Sequence, residues 1–190
     1  VVADALKGNQ RMTALSVAGN HLTYDGCKFG DMSGAIALSN SIPTMGALAT
    51  VNIMGNKIGK EQLSKLQEMM QAHPTLVSLC GIADDATEAN LSGLRMDADD
   101  AVVLADELPA KGALVKFNVS NNSLCAAGAQ TLAEALKGNQ IMTEINISNN
   151  SLAKVDTDYY ASADMAGVIA ISDAIPTMGA LTSLNISDNK

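Results

Sequence analysis

The feature that most constrains this chain is a pattern of apolar residues that restarts after 28 residues. From Leu114 to Leu124 the apolar residues and one asparagine follow the spacing LxxLxLxxNxL, which returns at Met142. Further copies start at Met12, Leu48, Leu76, Ala86 and Leu181. A repeat this short cannot bury its own apolar face and must pack against copies of itself. The chain is therefore expected to fold as a series of similar layers.

Each repeat reads as a strand, a turn and a helix. Phe117 and Val119 alternate with polar residues, which indicates a short strand with one apolar face. Residues 125–137 place apolar side chains at three- and four-residue steps, as in an amphipathic helix, and Gly138 suits its left-handed end. Strands that alternate with helices in this way predict a parallel sheet with right-handed crossovers.

One asparagine follows the strand in most of the repeats. Its side-chain amide can hydrogen-bond backbone groups that a turning chain would otherwise leave unpaired. We expect these asparagines to stack as a structural ladder from one repeat to the next. The ladder positions are Asn20, Asn56, Asn122, Asn150 and Asn189.

These residues resemble the leucine-rich repeat family, and the 28-residue length with a helical return is similar to its ribonuclease-inhibitor-like subfamily. The resemblance covers essentially the whole chain. It implies an α/β horseshoe-shaped solenoid, with a curved parallel sheet on the concave side and helices on the convex side. It implies little about function, because this fold carries many functions. We expect residues 1–190 to form one array, and a fragment of a longer repeat protein, since neither end shows a polar cap.

The repeats depart from the pattern in three places. Inserts lie at about residues 23–33 and 153–166, and a truncated, irregular repeat lies at about 76–96. A longer period is laid over the short one, because the motif IPTMGAL occurs at residues 42–48 and again at 175–181. The repeats therefore form blocks of about 130 residues, each with one insert.

The inserts hold four of the five aromatic residues of the chain. These four are Tyr24, Phe29, Tyr159 and Tyr160. Loops on a rigid scaffold often carry function, and aromatic side chains make effective anchors for a partner. The competing interpretation is that the rings fold back over a sheet edge or a helix end. The sequence leaves both open.

The outward strand positions form a second candidate surface. They include Lys116, Asn118, Glu144 and Asn146, and in an earlier repeat Thr50, Asn52 and Met54. The family resemblance implies that proteins bind this concave face. The competing interpretation is a solvated sheet face, because these positions hold no Trp, Tyr or Arg, the residues that most often dominate binding energy.

Charge and cysteine content narrow the class of protein. The net charge of −8 argues against a nucleic-acid ligand and favours a basic protein partner. Cys27, Cys80 and Cys125 show no disulfide framework, which favours free thiols and an intracellular, cytoplasmic location. No apolar run is long enough to insert into a bilayer.

The acidic clusters are better explained as helix caps and solvated side chains than as metal ligands. Asp84–Asp85, Asp97–Asp100 and Asp156–Asp158 match no calcium-loop pattern. Asp97 and Asp99 directly precede a predicted helix, where a cap is expected. The sequence indicates no cofactor.

The sequence offers no nucleophile with a matching base, so we predict a non-enzymatic protein. The preferred hypothesis is a protein-binding scaffold. The alternatives are a structural subunit packed permanently in a larger multiprotein assembly and, third, a regulator of a GTPase or other enzyme, as in the similar Ran GTPase-activating proteins.

Overall fold

A computed structural model of the chain describes residues 2–23, 31–153 and 164–189. Among these residues the fold is mixed α/β, with parallel strands in two sheets. The chain divides into two compact units, Val1–Ala83 and Asp84–Lys190. They are called the first and second unit below.

The first unit contains a two-stranded parallel sheet and three helices. Its elements are α1 (Val2–Leu6), β1 (Ala14–Ser16), α2 (Ser33–Ser41) with a 3-10 turn at Ile42–Thr44, β2 (Thr50–Asn52) and α3 (Lys60–Ala72). Leu15 lies opposite Val51 in the sheet, and the apolar positions of the following turn and helices close the core beneath it. Leu38, Ile53 and Leu66 are all buried there.

The second unit contains a four-stranded parallel sheet in the order β3-β4-β5-β6. Its elements are β3 (Glu88–Asn90), α4 (Ala98–Glu107) with a 3-10 turn at Leu108–Ala110, β4 (Lys116–Asn118), α5 (Cys125–Leu136), β5 (Glu144–Asn146), α6 (Ala166–Ala174) with a 3-10 turn at Ile175–Thr177, and β6 (Ser183–Asn185). Phe117 and Ile145 are neighbours in one inward row, and α5 packs against both α4 and α6. Ala89, Phe117 and Ile145 of this row are buried, and Leu184 on the last strand is half-buried.

The chain turns after each strand through a left-handed residue three positions beyond the strand end. The residues there are Gly19, Gly55, Gly93, Asn121, Asn149 and Asp188, all with φ between 52° and 71°. Glycine, asparagine and aspartate are the residue types that adopt this conformation most readily. This choice of residue lets every three-residue strand end in the same way.

The capping interpretation of the acidic cluster before α4 is confirmed. The Asp97 carboxylate accepts hydrogen bonds from the Asp99 and Asp100 N–H groups, at 3.1 and 3.2 Å. The Asp100 carboxylate in turn accepts from the Asp97 N–H at 3.1 Å, which completes a capping box.

The expectation that Thr50 and Met54 belong to an exposed surface is wrong. Both are buried, because residues 78–80 lie alongside β2 and bond to it. The Cys80 thiol lies 3.8 Å from the Met54 sulfur. Gly81 has a φ of +76°, and a Cβ there would lie 2.8 Å from the Asn52 Cβ, so only glycine fits. The first unit thus covers part of its own sheet face.

Lys111 is a buried lysine at a core position of the second unit. It stands where the related motifs at residues 42–48 and 175–181 have Met45 and Met178. Its Nζ lies 2.7 Å from the Asp84 carboxylate, while its side chain is 1% exposed. An ammonium removed from water needs an opposite charge and hydrogen bonds, and Asp84 supplies both from the start of the unit.

We expect Asp84→Ala to lower the free energy of unfolding by about 1–3 kcal/mol, because it removes the carboxylate that balances a buried ammonium. Adding Lys111→Met should recover most of the loss, since methionine fills this position in the related motifs. Chemical denaturation followed by circular dichroism measures both changes. Asp85→Ala is the control, and an equal loss there would contradict the role of the ion pair.

Candidate functional site

The site is built on asparagine side chains that join successive repeats. In the first unit the Asn56 amide is fully buried. Its Oδ1 accepts from the N–H groups of Asn20 and Leu22, at 2.9 and 3.2 Å. Its Nδ2 donates to the carbonyls of Val17 and Ile53, both at 2.8 Å. One side chain therefore ties the turn after β1 to the turn after β2.

The second unit uses the same bonds. Asn122 Nδ2 donates to the Leu91 carbonyl of the preceding repeat at 3.0 Å, and its Oδ1 accepts from the Met96 N–H at 3.0 Å. Asn150 Nδ2 donates to the Val119 carbonyl at 2.9 Å. Asn189 Oδ1 accepts from the Asn150 N–H at 2.6 Å. Each of these bonds crosses from one repeat to the next.

Two asparagines in this set differ from the rest. Asn20 is exposed, and its Nδ2 donates to the Ala18 carbonyl of its own turn. Asn150 Oδ1 is buried and finds no partner among the described residues. The partner would come from the backbone of the preceding repeat. In that repeat the second residue with a left-handed conformation is Cys125, whereas in four other repeats this residue directly follows the ladder position. The repeat with the altered turn is therefore the one that leaves the Asn150 oxygen unpaired.

Asn122→Ala should lower the free energy of unfolding by about 1–3 kcal/mol, since it leaves buried backbone groups unpaired on two repeats. Asn20→Ala is the matched control, because its exposed side chain bonds only within its own turn, and we expect about 0.5 kcal/mol or less. Denaturant unfolding of both variants measures the difference. Equal effects would show that the buried amides do not stabilise the stack.

The outward face of the second sheet carries two polar rows side by side. Strand register sets Glu88, Lys116, Glu144 and Ser183 in one row. The same register sets Asn90, Asn118, Asn146 and Asn185 in the other. A shallow depression of about 380 Å³ lies over both rows.

The charged row is a three-member ion cluster. Lys116 Nζ lies 3.4 Å from a Glu88 oxygen and 3.5 Å from a Glu144 oxygen. The Glu144 charge, followed by the hydrogen bond to Glu88, raises the pKa of the Lys116 ammonium above its ordinary value. The attraction is therefore present at neutral pH and is lost only as the pH rises through that raised pKa. The three side chains are about half exposed, so their ion pairs contribute little to the stability of the fold. Their main effect is on which partner surfaces can bind to this face.

The asparagine row presents hydrogen-bond donors. Each Oδ1 already accepts from the N–H two residues later, namely that of Ser92, Ser120, Ser148 or Ser187. No described residue accepts from the corresponding Nδ2 groups. Adjacent parallel strands lie about 4.8 Å apart, so the four carboxamide NH₂ groups form a regular line at that spacing. The arrangement can bind acceptors but supplies no nucleophile or base.

The structure brings together four of the predicted contact residues, Lys116, Asn118, Glu144 and Asn146. Asn90 and Asn185 extend their row, and the repeat alignment alone was sufficient to identify them. Tyr24, Phe29, Tyr159 and Tyr160 lie outside the described residues. The Lys111–Asp84 pair was missed, although a lysine at a methionine position of the motif was a usable signal.

Comparison with known proteins adds little to this geometry. No family model matches the chain, and no curated protein matches it. A solved structure of Leiomodin-1 Actin-Binding Site 2 (ABS2) is similar at a TM-score of 0.44 and 18% identity, over 80% of this chain and 76% of that chain. A similarity of this size assigns no function.

Among the residues that the structure describes, none of the helices has the length and apolar character needed to cross a membrane. No three His, Cys, Asp or Glu side chains in the same ranges are grouped as metal ligands.

Proposed function

We propose that this chain is a leucine-rich repeat solenoid of the ribonuclease-inhibitor-like type that serves as a non-enzymatic protein-binding scaffold. The observation that carries the proposal is the row of four outward asparagines whose Nδ2 groups have no acceptor among the described residues. Side chains held in register on a rigid sheet lose little conformational entropy when a partner binds.

The repeat geometry supports the solenoid. Parallel strands pair in order along each unit, and a helix follows each of the paired strands until the last one described. Buried asparagine amides join one repeat to the next in both units. Such nearest-neighbour bonding is the pattern by which repeat arrays gain stability.

The chemistry of the face indicates the partner. A line of NH₂ donors fits a protein surface that offers acceptors, such as backbone carbonyls or side-chain carboxamides. Glu88 and Glu144 beside that line favour basic side chains, in agreement with the net charge of −8. Tyr24, Phe29, Tyr159 and Tyr160 are proposed as additional anchors on the inserts.

The donor row is tested with Asn118→Asp combined with Asn146→Asp. Aspartate is nearly the same size and keeps the oxygen that accepts from the N–H two residues later, but it removes the NH₂ donors. Affinity capture followed by mass spectrometry identifies the partner, and titration calorimetry then measures its Kd. We expect the double variant to weaken binding about tenfold or more, since two intermolecular hydrogen bonds are lost.

Asn139→Asp is the matched control for the change in charge. Asn139 also uses Oδ1 to accept from backbone N–H groups, those of Ile141 and Met142, but it lies in a turn after α5. Its substitution should leave the Kd unchanged. Unchanged binding by the double variant, or equal weakening by the control, would remove the donor row from the proposed interface.

The inserts are tested separately with Tyr159→Ala and Tyr160→Ala. If the rings are anchors, partner affinity falls while the free energy of unfolding stays constant, because an exposed contact contributes only to binding. Calorimetry and denaturant unfolding of the same variants measure the two quantities. Loss of stability with unchanged affinity would show that the rings pack against their own protein.

A further inference from the structure

One of the two histidines of the chain, His73, holds a backbone turn through a ring nitrogen. It directly follows α3, and its Nδ1 accepts from the N–H groups of Thr75 and Leu76, at 3.3 and 3.1 Å. A ring nitrogen accepts only when it carries no hydrogen, so these two bonds require the neutral ring with its hydrogen on Nε2. That Nε2 is buried and has no hydrogen-bond partner among the described residues.

Asparagine performs the same task in two matching turns. Asn9 Oδ1 accepts from the N–H groups two and three residues later, both at 2.9 Å. Asn139 Oδ1 does the same at 2.9 and 2.8 Å. A carboxamide oxygen keeps its lone pairs at every pH, whereas an imidazole that takes up a proton loses the lone pair on Nδ1. His73 therefore makes this one turn depend on a group that titrates.

The turn at His73 leads into the residues that lie beside β2. Thr75 Oγ1 donates to the Leu48 carbonyl at 2.8 Å, which ties the turn to the preceding repeat. Backbone hydrogen bonds of 2.8 to 3.0 Å then join residues 77–79 to residues 49–53. Cys80, which follows directly, is completely buried. The position of this segment thus depends on the turn that precedes it.

No charged side chain among the described residues forms an ion pair or a hydrogen bond with His73. The turns at residues 46–48 and 74–76 contain no titratable residue, and Glu68, the nearest charged residue along α3, is exposed. The carbonyl end of α3 attracts a positive charge, but this attraction is smaller than the loss of two backbone hydrogen bonds. A proton on the ring therefore opposes the closed turn.

We propose that His73 is a pH-sensitive switch, in which uptake of a proton opens the turn and frees residues 76–82 from β2. The surface uncovered in this way includes Thr50, Met54 and Cys80. The open form holds one more proton than the closed form, so its population grows as the pH falls through the range in which histidine titrates. The switch is confined to the first unit, which contains both histidines of the chain.

The test measures the exposure of Cys80, with Cys125 as an internal control because it is a buried thiol of the second unit. The chain reacts with a pyridyl disulfide reagent, which modifies thiols in mild acid, at pH 7.5 and at pH 5.5. Peptide mass spectrometry gives both rates. We expect the ratio of the Cys80 rate to the Cys125 rate to be about tenfold higher at pH 5.5, since histidine in an open chain takes up its proton near pH 6.5.

His73→Asn installs the carboxamide that the matching turns use, so the ratio should be the same at both pH values. His21→Asn is the matched control, because it removes the other histidine of the same unit, and it should retain the tenfold rise. The proposal is overturned by a constant ratio in the unmodified chain, by a rise that persists in His73→Asn, or by a rise that His21→Asn abolishes.

The reverse substitution keeps the test valid if His73→Asn fails to fold. Asn139→His places an imidazole in the matching turn of the second unit, and denaturant unfolding followed by circular dichroism measures its midpoint. The midpoint should fall further below that of the unmodified chain at pH 5.5 than at pH 7.5. Asn139→Ala is the control, since it removes the acceptor at every pH and should give the same difference at both. Equal differences for Asn139→His would also overturn the proposal.

Discussion

The structure depends on one kind of bond, the buried asparagine amide that joins a repeat to its neighbour. A three-residue strand that ends in a left-handed turn leaves carbonyls and N–H groups without sheet partners. Asn56 and Asn122 bond those groups on two repeats at once. The oxygen accepts from an N–H group of the preceding repeat, and the nitrogen donates to one carbonyl of the preceding repeat and to one of its own. Because the bonds are local to adjacent repeats, they fix the strand register, and the strand register fixes every side chain on the outward face.

The outward face of the second sheet also carries asparagines, but these side chains do not join one repeat to the next. Asn118 and Asn146 lie four residues before ladder positions, yet their side chains bond only to their own turn through Oδ1. The nitrogen is left toward the solvent side of the sheet. Because adjacent strands lie about 4.8 Å apart, the asparagines at this position of successive repeats form a line of equivalent hydrogen-bond donors. The candidate function rests on this regularity rather than on any single reactive residue.

Residues that depart from the repeat pattern explain the contacts that the pattern does not predict. Lys111 replaces a core methionine and is stabilised by Asp84, which belongs to the irregular segment that opens the second unit. Gly81 permits the backbone to close over Asn52, which covers a face that the repeat pattern would leave open. In each case a short stretch that breaks the pattern changes what an adjacent regular repeat can do.

The sequence alone determined the order of strands and helices, the ladder positions and the residues of the two polar rows, because a fixed period decides which side chains share a face. Asp97 could also be recognised as a cap, since capping depends on residues two and three positions away. Only the tertiary structure decided that Thr50 and Met54 are buried and that Lys111 reaches Asp84. These outcomes depend on contacts between segments more than twenty residues apart, and a local pattern does not encode which distant segment lies over it.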